Sequence, residues 1–202
     1  MPEAPDLEII KDFLNDRVKG RTVQSVKVLR PTVVRSLAGD FPVDIAGRTF
    51  GPTQRRGKFL LTELSGGLRL VINPMLTGAL QYCLGSQRVL KKTCVILDLG
   101  EGQELRYLDD RQMGKVYYLR EEQIPQVPRL MEKGPDVLDG ITFEDFQSRL
   151  KPFRGELKGV LTRGAFISGI GNAYADEILF ASQLSPFIKT RALSQADLKR
   201  LY

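Results

Sequence analysis

Lys58-Phe-Leu-Leu-Thr-Glu-Leu-Ser-Gly-Gly-Leu-Arg-Leu-Val-Ile-Asn73 divides at Gly66-Gly67 into two apolar runs of strand length, Lys58–Leu64 and Leu68–Asn73. A short β-rich run, a Gly-containing break and a second such run read as consecutive strands. Outward from this stretch the pattern repeats at Thr22–Leu29, Ala79–Leu84, Thr93–Leu99, Glu104–Leu108 and Val116–Leu119. Many short strands with turns between them argue for a β-sandwich or barrel rather than a βαβ fold. Ahead of them, Leu7, Ile10, Phe13, Leu14 and Val18 recur at helical steps, with Pro5 suited to a first turn and Gly20 to a stop. This predicts a helix over 5–19.

Beyond Leu119 the alternation ends. Residues 121–140 hold Pro125, Pro128, Gly134 and Pro135 without a sustained period, as expected of an interdomain connection. Helical spacing then returns over Thr142–Leu150, with Thr142 as cap and Asp145 three residues on, over about Phe153–Thr162, and over Ala173 to about Gln183. Two turns' worth of loop, Arg163–Asn172, separates the last two. A final helix opens at Ser194 and is still running at Tyr202, as in a truncated chain or fragment. The expected architecture is α+β: an N-terminal helix and β-sandwich over 1–120, a connection over 121–140, and a helical domain over 141–202.

Composition narrows the chemistry. With 42% apolar and 27% charged residues the chain is an ordinary globular protein, not a disordered one. No apolar run reaches the roughly 20 residues of a membrane span, and the N-terminus has no secretory pattern, so a cytoplasmic, nucleoid-associated location is expected. Histidine is absent, which removes Ser-His and Cys-His catalysis. Cys83 and Cys94 form no Cys-x-x-Cys pair, so no metal site is proposed and buried free thiols are expected. A net charge of +6 suits a polyanionic partner, although a basic solvated surface gives the same balance.

The N-terminus, Met1-Pro-Glu-Ala-Pro-Asp6, carries the first candidate chemistry. Removal of Met1 exposes Pro2 as a secondary amine, and α-amino groups have a reference pKa of about 7.7–8.0. Such an amine is partly unprotonated near neutrality and adds to an aldehyde carbon to give an iminium ion, an electron sink. Glu3 is placed to move protons beside it. The bland alternative is a processed terminus leading into a helix cap. Later in the chain, Gly169-Ile-Gly-Asn172 reads as a helix start rather than a dinucleotide loop, because Tyr174 stands where Gly or Ala is required and no strand precedes it. There Asn172 is expected to cap the helix, whose N-terminus suits a phosphate.

Four ordered segments carry a resemblance: Met1-Pro-Glu-Ala-Pro-Asp-Leu-Glu8, Gln54-Arg-Arg-Gly-Lys-Phe-Leu-Leu61, Asp109-Asp-Arg-Gln-Met-Gly114 and Gly169-Ile-Gly-Asn-Ala-Tyr-Ala-Asp-Glu-Ile-Leu-Phe180. Together they resemble the formamidopyrimidine-DNA glycosylase / endonuclease VIII family over nearly the whole chain. The resemblance implies a β-sandwich domain followed by a helix–two-turns–helix domain, with DNA in the cleft between them. It implies a monomeric base-excision enzyme that removes oxidised bases from double-stranded DNA and nicks abasic sites by β- or β,δ-elimination, with Pro2 as Schiff-base nucleophile and no cofactor. By the same resemblance Lys58 reaches phosphates beside the lesion and assists elimination. Asn172, with Lys158 and Arg154 on the preceding helix, contacts phosphates as well. Arg111 faces the orphaned base, and Met113 with Met75 or Leu76 fills the gap left by base flipping, although a core role for these apolar residues is the plain alternative.

Departures from the family pattern are present. Members commonly end in a four-cysteine zinc finger that supplies an arginine; such a module, in a longer form, would lie beyond Tyr202. Arg163 replaces an acidic residue, and Pro74-Met-Leu-Thr-Gly78 carries one residue more than the pattern. The rival function is a non-catalytic DNA-binding protein on the same scaffold, which a retained Met1 would produce directly.

Overall fold

The computed structural model describes residues 1–131 and 134–202. The chain divides into two compact units, Met1–Pro128 and Arg129–Tyr202, each with its own apolar core. Among the described residues no helix is long and apolar enough to cross a membrane.

The first unit opens with α1 (Ala4–Arg17), with Pro5 in its first turn and Gly20, at φ +85°, just past its end. Only a residue without Cβ takes that left-handed conformation at no steric cost. Nine strands follow: β1 (Ser25–Val28), β2 (Val34–Ser36), β3 (Phe50–Arg56), β4 (Phe59–Leu64), β5 (Leu68–Asn73), β6 (Gly78–Leu84), β7 (Thr93–Asp98), β8 (Gln103–Asp109) and β9 (Lys115–Arg120), with a short helix α2 (Phe41–Asp44) before β3. They form two sheets, ordered β1-β7-β8-β6 and β2-β9-β5-β4-β3. Every pairing is antiparallel except the three-residue β2–β9 contact. Leu60, Leu70, Ile72 and Tyr118 from the larger sheet join Val95, Leu97, Leu105 and Tyr107 from the smaller in one core, closed at its margin by Leu7, Leu14 and Val18 of the α1 region.

Two sets of contacts dock α1 on β3. The Asn15 amide donates to the Thr53 carbonyl (2.9 Å) and accepts from the Thr53 N–H (2.7 Å), replacing a ladder partner on an edge strand. Arg55, whose side chain is 3% exposed, donates to Glu8 (2.5 Å) and to the Gly57 carbonyl (2.9 Å). Glu8 is shared with Lys11. Helix and hairpin are therefore held in a fixed register, which matters because both carry candidate site residues.

The second unit contains α3 (Phe143–Leu150), α4 (Leu157–Leu161), α5 (Asn172–Ala181) and α6 (Gln195–Leu201). Thr142 caps α3 by accepting from the Asp145 N–H (3.1 Å), as the sequence predicts, and Ser194 caps α6 likewise. The helix expected over 153–162 is shorter. Gly155 sits at φ +148° and Glu156 is extended in a bridge to Lys189, so the chain turns helical only at Leu157. Of the expected connection over 121–140, Glu121–Gln126 forms a 3-10 helix, Val127 and Leu130 are buried, and 132–133 lie outside the described residues.

Candidate active site and nucleic-acid interface

Strand register brings the candidate residues of the first unit to one end of the sandwich. Leu60 pairs with Ile72, Asn73 with Lys115, and Gly78 with Asp109. The β3–β4 turn, the β5–β6 loop and the β8–β9 loop therefore all emerge at that end. Lys58 is the second residue of the two-residue β3–β4 turn, after Gly57 at φ +58°, an arrangement suited to a type II′ hairpin. It is half-buried. Burial pulls its ammonium below the usual lysine range, opposed by the charge of Glu3. That coupling places the start of α1 at the same end.

Glu3 is 3% exposed and its backbone N–H donates to Asp6 Oδ2 (2.8 Å), which satisfies one donor at the helix start. Pro2, directly ahead of it, is half-buried. The aligned peptide dipoles of α1 oppose additional positive charge at this point.

The two loops beyond Lys58 are tied together by a residue that sequence reasoning missed. Asp109, 1% exposed, accepts from the Thr77 hydroxyl and the Arg111 N–H (3.2 Å) at Oδ1, and from the Gly114 N–H (2.7 Å) and Tyr107 hydroxyl (3.4 Å) at Oδ2. The Arg111 N–H also reaches Thr77 Oγ1 (3.2 Å). One carboxylate thus fixes both loops. The close packing leaves no room at Gly114, where a Cβ would stand 1.9 Å from Tyr107 Oη and 2.9 Å from the Asn73 carbonyl. On this base Arg111 is exposed, Leu76 is 43% and Met113 41% exposed, and Met75 is half-buried at φ +49°. A core role for Leu76 and Met113 is thereby overturned: both stand on loops facing solvent.

In the second unit the cap differs from expectation. Gly171 is the N-cap of α5, and Asn172 is its first helical residue, exposed. Lys158 on α4 pairs with Asp176 (2.7 Å), one turn into α5 on the face of Asn172. Arg154 lies not on a helix but in the loop before α4, exposed. Between α4 and α5 the chain makes two successive turns, closed by Arg163 N–H to Val160 and Phe166 N–H to Arg163.

Among the described residues no group of three or more His, Cys, Asp or Glu is arranged to hold a metal ion. Cys83 and Cys94 are buried free thiols, pushed up by burial and so disfavoured as thiolates. These residues do not fit a four-cysteine zinc site.

The fold and site define a two-unit scaffold of a β-sandwich and a helix–two-turns–helix, one that solved structures share. The chain superposes on Lactococcus lactis Fpg in complex with DNA containing FAPY-dG, with a TM-score of 0.90 at 22% identity, covering 98% of this chain and 75% of that one. It superposes equally on the same organism's Fpg bound to DNA containing an abasic site, with a TM-score of 0.89 at 23% identity, over 98% and 73% of the two chains.

Sequence comparison gives the family. Residues 1–116 match the formamidopyrimidine-DNA glycosylase N-terminal domain and residues 134–202 match the formamidopyrimidine-DNA glycosylase H2TH domain. The formamidopyrimidine-DNA glycosylase of Desulforamulus reducens is 36% identical over 189 residues, 92% of this chain and 68% of that protein. That of Pelotomaculum thermopropionicum is 32% identical over 204 residues, 100% and 74% of the two chains. The chain belongs to the formamidopyrimidine-DNA glycosylase family.

Proposed function

We propose that the protein is a base-excision DNA glycosylase with abasic-site lyase activity on double-stranded DNA, and that Pro2, freed by removal of Met1, is its nucleophile. The observation that carries this reading is the convergence of Pro2, buried Glu3 and half-buried Lys58 where α1 begins against the β3–β4 turn. The Pro2 nitrogen lone pair forms a bond to the sugar C1′, and the bond from C1′ to the base breaks, its electron pair leaving with the base. Glu3 takes the N–H proton from Pro2 and delivers it to O4′ as the C1′–O4′ bond breaks, which completes an iminium ion between Pro2 and C1′. The iminium acidifies the C2′ proton. Its removal expels the 3′-phosphate and cuts the strand, and water then releases Pro2 by hydrolysis of the Schiff base.

Lys58 supplies a point charge to the phosphates beside the lesion. Asn172 at the start of α5, where the helix dipole favours anions, Lys158 on α4, held beside α5 by Asp176, and Arg154 bind further phosphates. Arg111 meets the orphaned base while Leu76, Met75 and Met113 occupy the vacated stack. Every step is carried by these side chains and water.

The test is borohydride trapping on a duplex containing an abasic site, which bypasses the identity of the lesion. A covalent adduct is expected from chain lacking Met1 and none from Pro2→Gly. No adduct from the processed wild-type chain, with DNA binding intact, would make it a non-catalytic DNA-binding protein.

A further inference from the structure

Three of the stretches without an acidic residue are 25–39, 86–97 and 111–120. They hold nine of the cations in a protein whose 24 acids otherwise nearly balance its 30 bases. The fold gathers parts of all three at one end of the sandwich. The Arg30 N–H donates to the Cys94 carbonyl (3.1 Å), the Asp109 N–H to the Lys92 carbonyl (2.8 Å), and the Thr32 hydroxyl to Gln112 Oε1 (2.6 Å). Lys115 Nζ reaches the Gln112 and Gly114 carbonyls (3.3 and 3.2 Å). Burial, with the Arg35 guanidinium second, holds that ammonium below the usual lysine range, so Arg35 and Lys115 are neighbours.

Arg30, Arg35, Lys91 and Lys92 are exposed, Lys115 is half-buried, and none of them takes part in an ion pair among the described residues. Of the acids at this end, Asp109 is already committed to four donors, Glu3 lies at the start of α1 and couples to Lys58, and Asp110 is exposed. Five cations outnumber the acids beside them, with Asp109 only partly offsetting the charge on Lys115, and such an excess of like charge is electrostatically unfavourable unless an anion meets it.

Sheet order fixes where that anion runs. Across the larger sheet the β5–β6 loop, with Met75 and Leu76, separates the Lys58 turn on one side from Lys115 and Arg35 on the other. From the start of β4 to the start of β2 is three strand spacings, about 14 Å. The two backbones bordering a minor groove about 6 Å wide fall within such a reach. Arg111, facing the orphaned base, lies among these cations, and the orphaned base belongs to the strand without the lesion.

We propose that Arg30, Arg35, Lys91, Lys92 and Lys115 form a second phosphate-binding surface, which grips the undamaged strand beside the orphaned base. This rests on the glycosylase reading of Arg111 and Lys58. The surface holds the complementary backbone while the wedge loop enters the stack, so that force applied at the lesion bends the duplex instead of displacing it.

The experiment measures the salt dependence of binding to a duplex carrying a tetrahydrofuran abasic analogue. The variant combines Arg30→Gln, Arg35→Gln, Lys92→Gln and Lys115→Gln. Each lost phosphate contact lowers the slope of log K against log salt by about 0.9, so loss of all four gives an expected fall of about 3.6. A charge-conserving variant, with the two arginines changed to Lys and the two lysines to Arg, keeps the slope and controls for folding. Methylphosphonates in the undamaged strand should remove the difference between wild type and the Gln variant; the same groups in the damaged strand should not. An unchanged slope, or a difference removed only by damaged-strand methylphosphonates, overturns the proposal. Borohydride trapping by the wild-type chain is read separately: its absence alongside the slope change would sink the lyase reading and leave the surface standing.

Discussion

Asp109→Asn isolates the anchor of the two loops that carry Arg111, Met113, Met75 and Leu76. The carboxylate meets two hydroxyls, which can reverse their role, and two backbone N–H groups, which cannot. An amide has one oxygen. In one orientation its NH2 faces the Gly114 N–H, now 2.7 Å from an acceptor, and in the other it faces the Arg111 N–H at 3.2 Å. In the first orientation the Gly114 N–H loses its partner, and in the second the Arg111 N–H keeps only Thr77 Oγ1 while facing a donor; losing a buried backbone partner costs about 1–3 kcal/mol. The remaining bonds also change from charge-assisted to neutral, partly offset by the lower cost of burying an amide than a carboxylate. A net loss of about 2 kcal/mol follows.

The loop offers its own reporter, because trypsin cuts after Arg111. If cleavage tracks the open population, 2 kcal/mol accelerates it by roughly thirtyfold, and the thermal midpoint falls by roughly 4–8 °C. Asp109→Ala, which loses all four bonds, should lie further in the same direction. Affinity for the tetrahydrofuran duplex over undamaged duplex should fall with the same ranking, since the wedge is then presented by a disordered loop. Cleavage after Arg111 at the wild-type rate, with an unchanged midpoint, would refute the idea that this carboxylate holds the loops.

Glu3→Gln separates the two halves of the proposed reaction. An abasic site equilibrates between its hemiacetal and the open-chain C1′ aldehyde without enzyme and has no base to expel, so trapping there should persist while excision of an oxidised base falls by about 10²–10⁴-fold. Equal loss of both in single-turnover assays would remove Glu3 from the proton-transfer role. Glu8 gives a pH prediction. Burial pushes its carboxyl up, but the Lys11 and Arg55 hydrogen bonds outweigh this and hold it below the usual range. Its stabilisation is therefore complete above an unfolded value of about 4.3 and is lost as pH falls through the lower folded value. Urea midpoints at pH 6 and pH 3 should differ more for the wild type than for Glu8→Gln, and parallel behaviour would show that the Glu8–Arg55 pair does not help to dock α1.

The strands built on uninterrupted apolar runs were legible in the sequence: Leu68–Asn73 is β5 at both ends, and Lys58–Leu64 differs from β4 by a single turn residue. Two strands were not. β3 contains Gly51-Pro52, a breaker signature, and the structure accommodates it as a register shift on an edge strand between Phe50 and Thr53. β2 is three residues long and exists only through its pairing with β9, information that no local pattern carries. Asn172 illustrates the limit of cap rules, since the preceding Gly171 takes the extended cap conformation at φ −121° and ψ −158°. Asp109 and Asp110 looked equivalent in sequence, because which of two adjacent acids turns inward depends on the β6–β8 register. The Pro2-Glu3 pair and Lys58 were legible as candidates from motif order, but their meeting at one end depends on how β3 and β4 pair.

The site is assembled from loops and termini, the parts of a fold with the least intrinsic rigidity, so its precision has to come from elsewhere. The first unit supplies it through a few polar contacts at the boundaries of elements. Asn15 and the Glu8–Arg55 pair fix α1, and with it Pro2 and Glu3, against the hairpin that presents Lys58. Asp109 fixes the two loops that present Arg111 and the apolar wedge. Neither anchor has to touch DNA. Their separation has a mechanistic consequence: chemistry at C1′ depends on the first and insertion into the stack on the second. Weakening the Asn15 clamp should therefore lower trapping rates at saturating DNA with little change in lesion discrimination, whereas weakening Asp109 should do the reverse. The two classes of defect should combine independently, because the anchors share no hydrogen-bond partner.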